Sequence, residues 1–281
     1  MTIPDDVAWL VLLSALLNAG WNSAVKSGAD RLSVMAVTTL IAAVAAAFAL
    51  PWVQMPVRDS WGLLALSIAL HTAYHFMLPL AYNHGDLGQI YPIARGSAPL
   101  MVMGGAAALA GELPNAGQLL GIAIVCAGVA ALSISRGGAA RPQAVAYALA
   151  TGALIAAYTV ADGLGARRSG SVLGFAVLMT IGGAAATSAG VLLWKGLGAF
   201  RLGARDLRLC ALAAVMQMGA SWIAVWALAR APMGLVSALR ETGVLFVALI
   251  SAFLLKEKLG LRRLLPAGLV FAGIACIRFA H

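Results

Sequence analysis

Residues 88–132 read GQIYPIARGSAPLMVMGGAAALAGELPNAGQLLGIAIVCAGVAAL, and residues 233–277 read MGLVSALRETGVLFVALISAFLLKEKLGLRRLLPAGLVFAGIACI. At one offset of 145, Arg95 falls on Arg240, Ser97 on Thr242, Leu100 on Leu245, Glu112 on Glu257 and Gly128 on Gly273. Leu119 and Leu120 fall on Leu264 and Leu265 in the same register. Ala and Leu matches come easily in an apolar chain, so the charged and glycine pairs carry the weight. A register that survives two apolar runs and the loop between them identifies a duplicated unit. Earlier residues echo more faintly at an offset of 137, where Leu12 meets Leu149, Leu17 meets Leu154, Ala19 meets Ala156 and Trp21 meets Tyr158. The halves are then 1–139 and 140–281, joined by SRGGAARP, with the change of offset absorbed by a longer loop near 197–207.

Composition sets the class. The chain is 62% hydrophobic and only 10% charged, with a mean hydropathy of +0.93, and its apolar residues come in long runs. Such a chain is a multi-pass membrane protein. The formal charge of +9 does not point to nucleic acid, because Lys and Arg sit in short loops and never line one face. Cys126, Cys210 and Cys276 lie inside apolar runs without metal-like spacing and read as inert buried thiols. The acidic N-terminus MTIPDD does not open a signal peptide.

Ten candidate spans follow, at 7–25, 32–53, 61–82, 88–111, 118–134, 144–161, 172–194, 209–229, 235–255 and 261–279. Each is near the ~20 residues that a ~30 Å hydrocarbon layer requires, and none shows the alternation of a membrane strand. The expected fold is an all-α membrane protein with ten transmembrane helices. Alternate loops hold unequal positive charge. One set has Lys26, Arg31, Arg136, Arg141, Lys195, Arg201, Arg205, Arg208, Lys256, Lys258, Arg262 and Arg263; the other, with the termini, has Arg58, Arg167, Arg168, Arg230 and Arg278. The first set belongs in the cytoplasm, which puts both termini outside. Five helices per half is an odd number, so the second copy inserts upside down. The dense charge at 256–263, against none between Gly111 and Gln118, is what two inverted five-helix repeats require.

Each half closes with an apolar helix, a Glu, a short turn and a Gly-containing apolar helix. The residues are Ala98, Pro99, Leu100, Glu112, Gly121 and Gly128 in the first copy, and Glu257, Gly268 and Gly273 in the second. In these the chain resembles the EamA family of the drug/metabolite transporter superfamily over essentially its whole length. With its third-helix segment HTAYHFMLP it looks most similar to bacterial exporters of aromatic and other neutral amino acids. The second copy has Val244 at the Pro99 position, a departure that leaves a matched bend in the fourth and ninth helices unsupported. The resemblance implies a bacterial inner-membrane exporter that works by alternating access, as a monomer and without a cofactor, on a central cavity that takes a small-molecule substrate.

An ionisable side chain at bilayer depth costs ~2.5 to 3.5 kcal/mol, so each one needs a partner or water. The third helix is richest: His71, Tyr74, His75, Leu78 and Tyr82 recur at helical spacing, a stripe that suits a wet cavity. Pro79 interrupts this helix as either a hinge or a static bend. On the first helix Asn18 and Asn22 flank Trp21, serving either as interhelical glue or as substrate contacts. Tyr147, Thr151, Tyr158 and Asp162 form a stripe on the sixth, and Trp21 and Tyr158, matched in the repeat, could sandwich an apolar substrate group. Trp9, Trp52, Trp61 and Trp194 stand at span ends and suit an interfacial belt. The eighth helix offers Gln217, Ser221 and Trp222, and the ninth Ser237, Arg240 and Glu241. Arg240 and Glu241 are adjacent and do not share a face, so each needs another partner. Inverted topology puts Arg95 toward the cytoplasmic mouth and Arg240 toward the outer one, where they would gate, hold a substrate carboxylate, or simply snorkel. Small residues Gly20, Ala24 and Gly28, and Gly182, Ala186 and Gly190, read as packing faces within the bundle.

The chain has no phosphate loop, HExxH, nucleophile elbow or paired deep carboxylates, so an enzyme is not expected. A channel or receptor would not need inverted repeats, and a nucleotide-sugar carrier would want more deep arginines. The substrate choice lies between amino acids and lipophilic cations; Glu241 and Asp162 are the only deep anions, whereas Tyr, Trp and His are plentiful. A proton on His75, Glu241 or Asp162, or passive facilitated export, would use the same residues.

Overall fold

The computed structural model describes residues 3–26, 30–82, 87–134, 142–243, 245–246 and 261–280, and among these every regular element is a helix. The α-helices are α1 (Asp5–Lys26), α2 (Arg31–Ala47), α3 (Trp61–Tyr82), α4 (Leu87–Ala110), α5 (Ala116–Ile134), α6 (Pro142–Arg168), α7 (Val172–Lys195), α8 (Ala204–Arg230), α9 (Met233–Arg240) and α10 (Leu261–Phe279). Among the described residues, five stretches are long and apolar enough to cross a membrane, where the sequence led to an expectation of ten: Arg58–Leu78, Ile93–Ala110, Pro142–Arg168, Val172–Lys195 and Ala204–Arg230.

The third and tenth helices begin and end where the sequence places them. Four others differ by five residues or more, the eighth because it starts at Ala204 where 209 was expected. The second was expected to reach 53 but stops at Ala47; Pro51, which cannot continue an α-helical ladder, sits in a following 3-10 turn, Leu50–Trp52. The sixth was expected to stop at 161, before Asp162, yet runs on to Arg168 because the carboxylate is neutralised inside the bundle, as described below. The ninth is short and is taken up with the site. Helix starts are fixed by side chains. Asp30 accepts from Leu32 N at the start of α2, and Ser171 accepts from Gly174 N at the start of α7. Asn115 and Gln118 cap each other's backbone at α5, at 2.8 and 3.2 Å.

The helices pack as α1 on α8, α3 on α6, α2 on α7, α4 on α6, α1 on α9, α4 on α9 and α5 on α10. Chain ends gather on two sides. On one, Val57 N bonds Ser169 O, Asn115 bonds Ala280 O, and Arg278 bonds Ile3 O and Asp5; on the other, Lys195 Nζ stands 2.7 Å from Asp30 Oδ2. The closest helix contact is the α5–α10 seam. A Cβ on Gly121 would lie 2.8 Å from Gly273 O, one on Gly273 would lie 2.7 Å from Gly121 O, and one on Gly128 would lie 3.0 Å from Pro266 O. Gly20 and Gly190 are likewise filled by Met216 and Phe76 of neighbouring helices, so these small faces pack within the bundle; Gly28 lies outside the described residues. Trp9, Trp52, Trp61 and Trp194 are all exposed, as belt residues would be, and the outward surface carries Val44, Leu66, Leu109, Val215 and Phe271.

Candidate functional site

The apolar run beginning at Leu235 reads as one continuous helix, but α9 ends at Arg240. Glu241 N bonds Ala238 O and Thr242 N bonds Leu239 O, both spanning three residues rather than four. The Thr242 hydroxyl donates to Leu239 O as well, at 2.9 Å, drawing the chain into a turn before bonds from Leu245 N and Phe246 N to Thr242 O take over. Gly243 lets this turn press on α1, since a Cβ there would lie 3.1 Å from Ala15 O. The break therefore falls in the copy without the proline, while α4 runs unbroken through Pro99. Residues 247–255 of the expected span, and Glu257 beyond it, lie outside the described residues.

Charged groups meet at this break. Arg95 Nε on α4 donates to Glu241 Oε2 at 3.0 Å, and both side chains are buried. Arg240 lies within electrostatic reach of Tyr158, Arg95, Glu241 and Asp162. The two arginines thus share one charge cluster instead of standing at opposite mouths: Glu241, one residue beyond Arg240, draws Arg95 to it. Asp162 on α6 is held by α3, accepting from Ser67 Oγ on one oxygen and lying 3.0 Å from His71 Nε2 on the other. His71 stacks on Tyr158 at 4.0 Å between ring centres, and Tyr74 meets the edge of Tyr158 at 5.7 Å. A buried ion stripped of water is tolerable only with such partners, and both deep carboxylates have theirs.

The structure divides the remaining sequence candidates. His75 is buried, and its Nδ1 lies 3.0 Å from Thr187 Oγ1, a bond that ties α3 to α7. Trp21 donates to Asn18 Oδ1 and packs with Val34, Val37, Cys210 and Ala213, whereas Tyr158 packs with Tyr74, Leu78, Ala98 and Ile155. The two aromatics lie in separate core clusters and do not form a sandwich. Asn22 donates to Asn18 O within its own helix. Trp222 donates to Thr180 Oγ1 at 3.0 Å, Gln217 Oε1 is buried without a hydrogen bond, and Ser237 is buried on α9. The side chains of Pro79 and Tyr82 lie outside the described residues, although both belong to the backbone of α3. His71, Asp162 and Ser67 matter more here than periodicity suggested. The cue was available in the three- and four-residue steps Ser67–His71–Tyr74 facing a lone buried acid. Among the described residues no group of three or more His, Cys, Asp or Glu could hold a metal ion.

A second ion pair, between buried Glu112 and the more exposed Arg167, ties the helix ends. Glu112, just past α4, accepts from Met233 N at 2.7 Å, capping α9, and stands 2.6 Å from Arg167 Nη2. Arg167 also donates to Leu228 O and Ala231 O.

A solved crystal structure superposes on this chain with a TM-score of 0.82 and 18% sequence identity, covering 98% of this chain and 99% of the other, which shows that the fold is shared. No curated protein matches the chain. Residues 143–279 match the EamA-like transporter family.

Proposed function

We propose that this chain is an inner-membrane bacterial transporter of the drug/metabolite type that exports small metabolites, foremost amino acids with aromatic and other neutral side chains, by alternating access. Its ten membrane helices form two inverted repeats, 1–139 and 140–281. Three observations support the repeat. The family match falls on the second unit, and exchanging α1 with α6, α2 with α7, α3 with α8, α4 with α9 and α5 with α10 returns the pairings named above, α6 on α8 being a contact without a counterpart. The offset of 145 also carries the Gly121–Gly273 contact onto that between Pro266 and Gly128.

The observation that carries the substrate reading is the broken α9, whose paired charges lie within electrostatic reach of Tyr158 in the Tyr158–His71–Tyr74 aromatic cluster. Interrupted membrane helices of this kind serve as binding centres in transporters. An amino acid fits both parts, its charged end toward the ions and its side chain toward the rings. A lipophilic cation fits less well, because Glu241 and Asp162 already hold Arg95 and His71. No chemistry is catalysed and no cofactor takes part; the protein acts as a monomer. Counterflow of labelled phenylalanine, threonine and methionine in proteoliposomes, with and without a pH gradient, tests this. Exchange of these amino acids is expected; exchange of a lipophilic cation in their place would overturn the reading.

A further inference from the structure

The offset that relates Arg95 to Arg240 relates Glu241 to Gly96. The acid that pairs with the first arginine thus has no twin to pair with the second. Nor is there room for one, since a Cβ on Gly96 would lie 3.1 Å from Cys126 O and 3.3 Å from Ala130 N. The consequence is visible at Arg240, whose buried Nε makes no hydrogen bond. Among the described residues it is the only charged side chain with a buried polar atom so left. Its electrostatic neighbours do not relieve it: Glu241 is bonded to Arg95, and Asp162 to His71 and Ser67.

An unpaired donor on a buried cation is costly, and the guanidinium fork matches a carboxylate in two parallel hydrogen bonds. We infer that Arg240 is the carboxylate receptor of the transported molecule, the ligand supplying the acid that position 96 does not. This rests on the transporter reading above and narrows it to carboxylate-bearing substrates, with Tyr158, within electrostatic reach of the same arginine, as the wall for the side chain. Compounds that keep the side chain but replace the carboxylate by a neutral amide lose the match.

The test uses the full chain in proteoliposomes, with counterflow of labelled L-phenylalanine competed by unlabelled L-phenylalanine or by L-phenylalaninamide. In the wild type the amide should compete at least about tenfold more weakly, the loss expected when a charged hydrogen bond goes unmade. Arg240→Gln should erase that preference by weakening phenylalanine to the level of the amide, with the amide unchanged. Arg240→Lys, which keeps the charge but not the fork, should retain part of it. If Arg240→Gln does not fold, Arg240→Met replaces it with the same expectation. A preference that survives the loss of Arg240, or a parallel decline of both compounds, overturns the receptor while leaving phenylalanine exchange by the wild type intact. Wild-type exchange of the amide but not of phenylalanine overturns the amino-acid reading, and the receptor with it.

Discussion

Replacing the two members of the buried Arg95–Glu241 pair singly and together should give unequal results, and the order is set by Arg240. Glu241 is 2% exposed and Arg95 7% exposed, so removing either partner leaves its mate in a medium that cannot solvate it, at a cost of about 3 to 5 kcal/mol. After Arg95→Gln, Glu241 still has the field of Arg240, which lies within its electrostatic reach, so the loss should fall at the low end of that range. After Glu241→Gln, Arg95 and Arg240 face each other without the acid that both feel, and the loss should reach the high end. The double replacement removes a positive and a negative charge together and should recover about 2 kcal/mol or more of the summed loss. Thermal unfolding in detergent reads this as a depression of Tm of roughly 2 to 4 °C per kcal/mol for a chain of this size. The predicted order of harm is Glu241→Gln first, then Arg95→Gln. Additive effects, or a greater loss from Arg95→Gln, would refute the shared cluster.

Gly121→Ala should force α5 and α10 apart, because the new methyl meets backbone at Gly273 and Ile277 and cannot be relieved by a side-chain turn; a loss of about 1 to 3 kcal/mol is expected, against little change at Gly268, where nothing stands within 4 Å. Glu112→Ala should cost about 3 kcal/mol, combining a helix cap of about 1 with a charge-assisted bond of about 2, and Glu112→Gln should cost less because it keeps an acceptor for Met233 N. Both series are read by Tm in detergent, and equal losses at Gly121 and Gly268 would contradict the seam. Partial burial pushes the Asp30 carboxyl up, but hydrogen bonds from Lys195 and Ser33 outweigh it and hold the group below its ordinary value. Its contribution should therefore be present above the unfolded value near pH 4 and be lost as pH falls through the lower folded one, staying under about 1 kcal/mol because both partners of the ion pair are more than a third exposed. A Tm difference between wild type and Asp30→Asn that grows as pH falls would contradict this.

Helix positions were legible where apolar runs were clean, as for α3 and α10, because length and hydropathy there leave one solution. Asp162 was legible as a deep acid on the sixth helix, but its partners were not; His71 and Ser67 lie more than ninety positions away in sequence. The α3 stripe was legible as a stripe but not in its division. His71 and His75, four apart, share a face broad enough to meet α6 with one ring and α7 with the other. The break in α9 left a signal, Arg-Glu-Thr-Gly in the midst of an apolar run. Periodicity is blind to it, since the residues on either side remain helical.

The two sides of the bundle are fastened unequally. On one, Glu112 and Arg167 clasp α4, α6, α8 and α9 through four short bonds with the carboxylate largely shielded from water. On the other, the ion pair seen among the described residues is the exposed Lys195–Asp30 contact, a kind worth at most about 1 kcal/mol. Among the described residues, a pull that parts the helices beside Lys195 therefore breaks the weaker of the two fastenings.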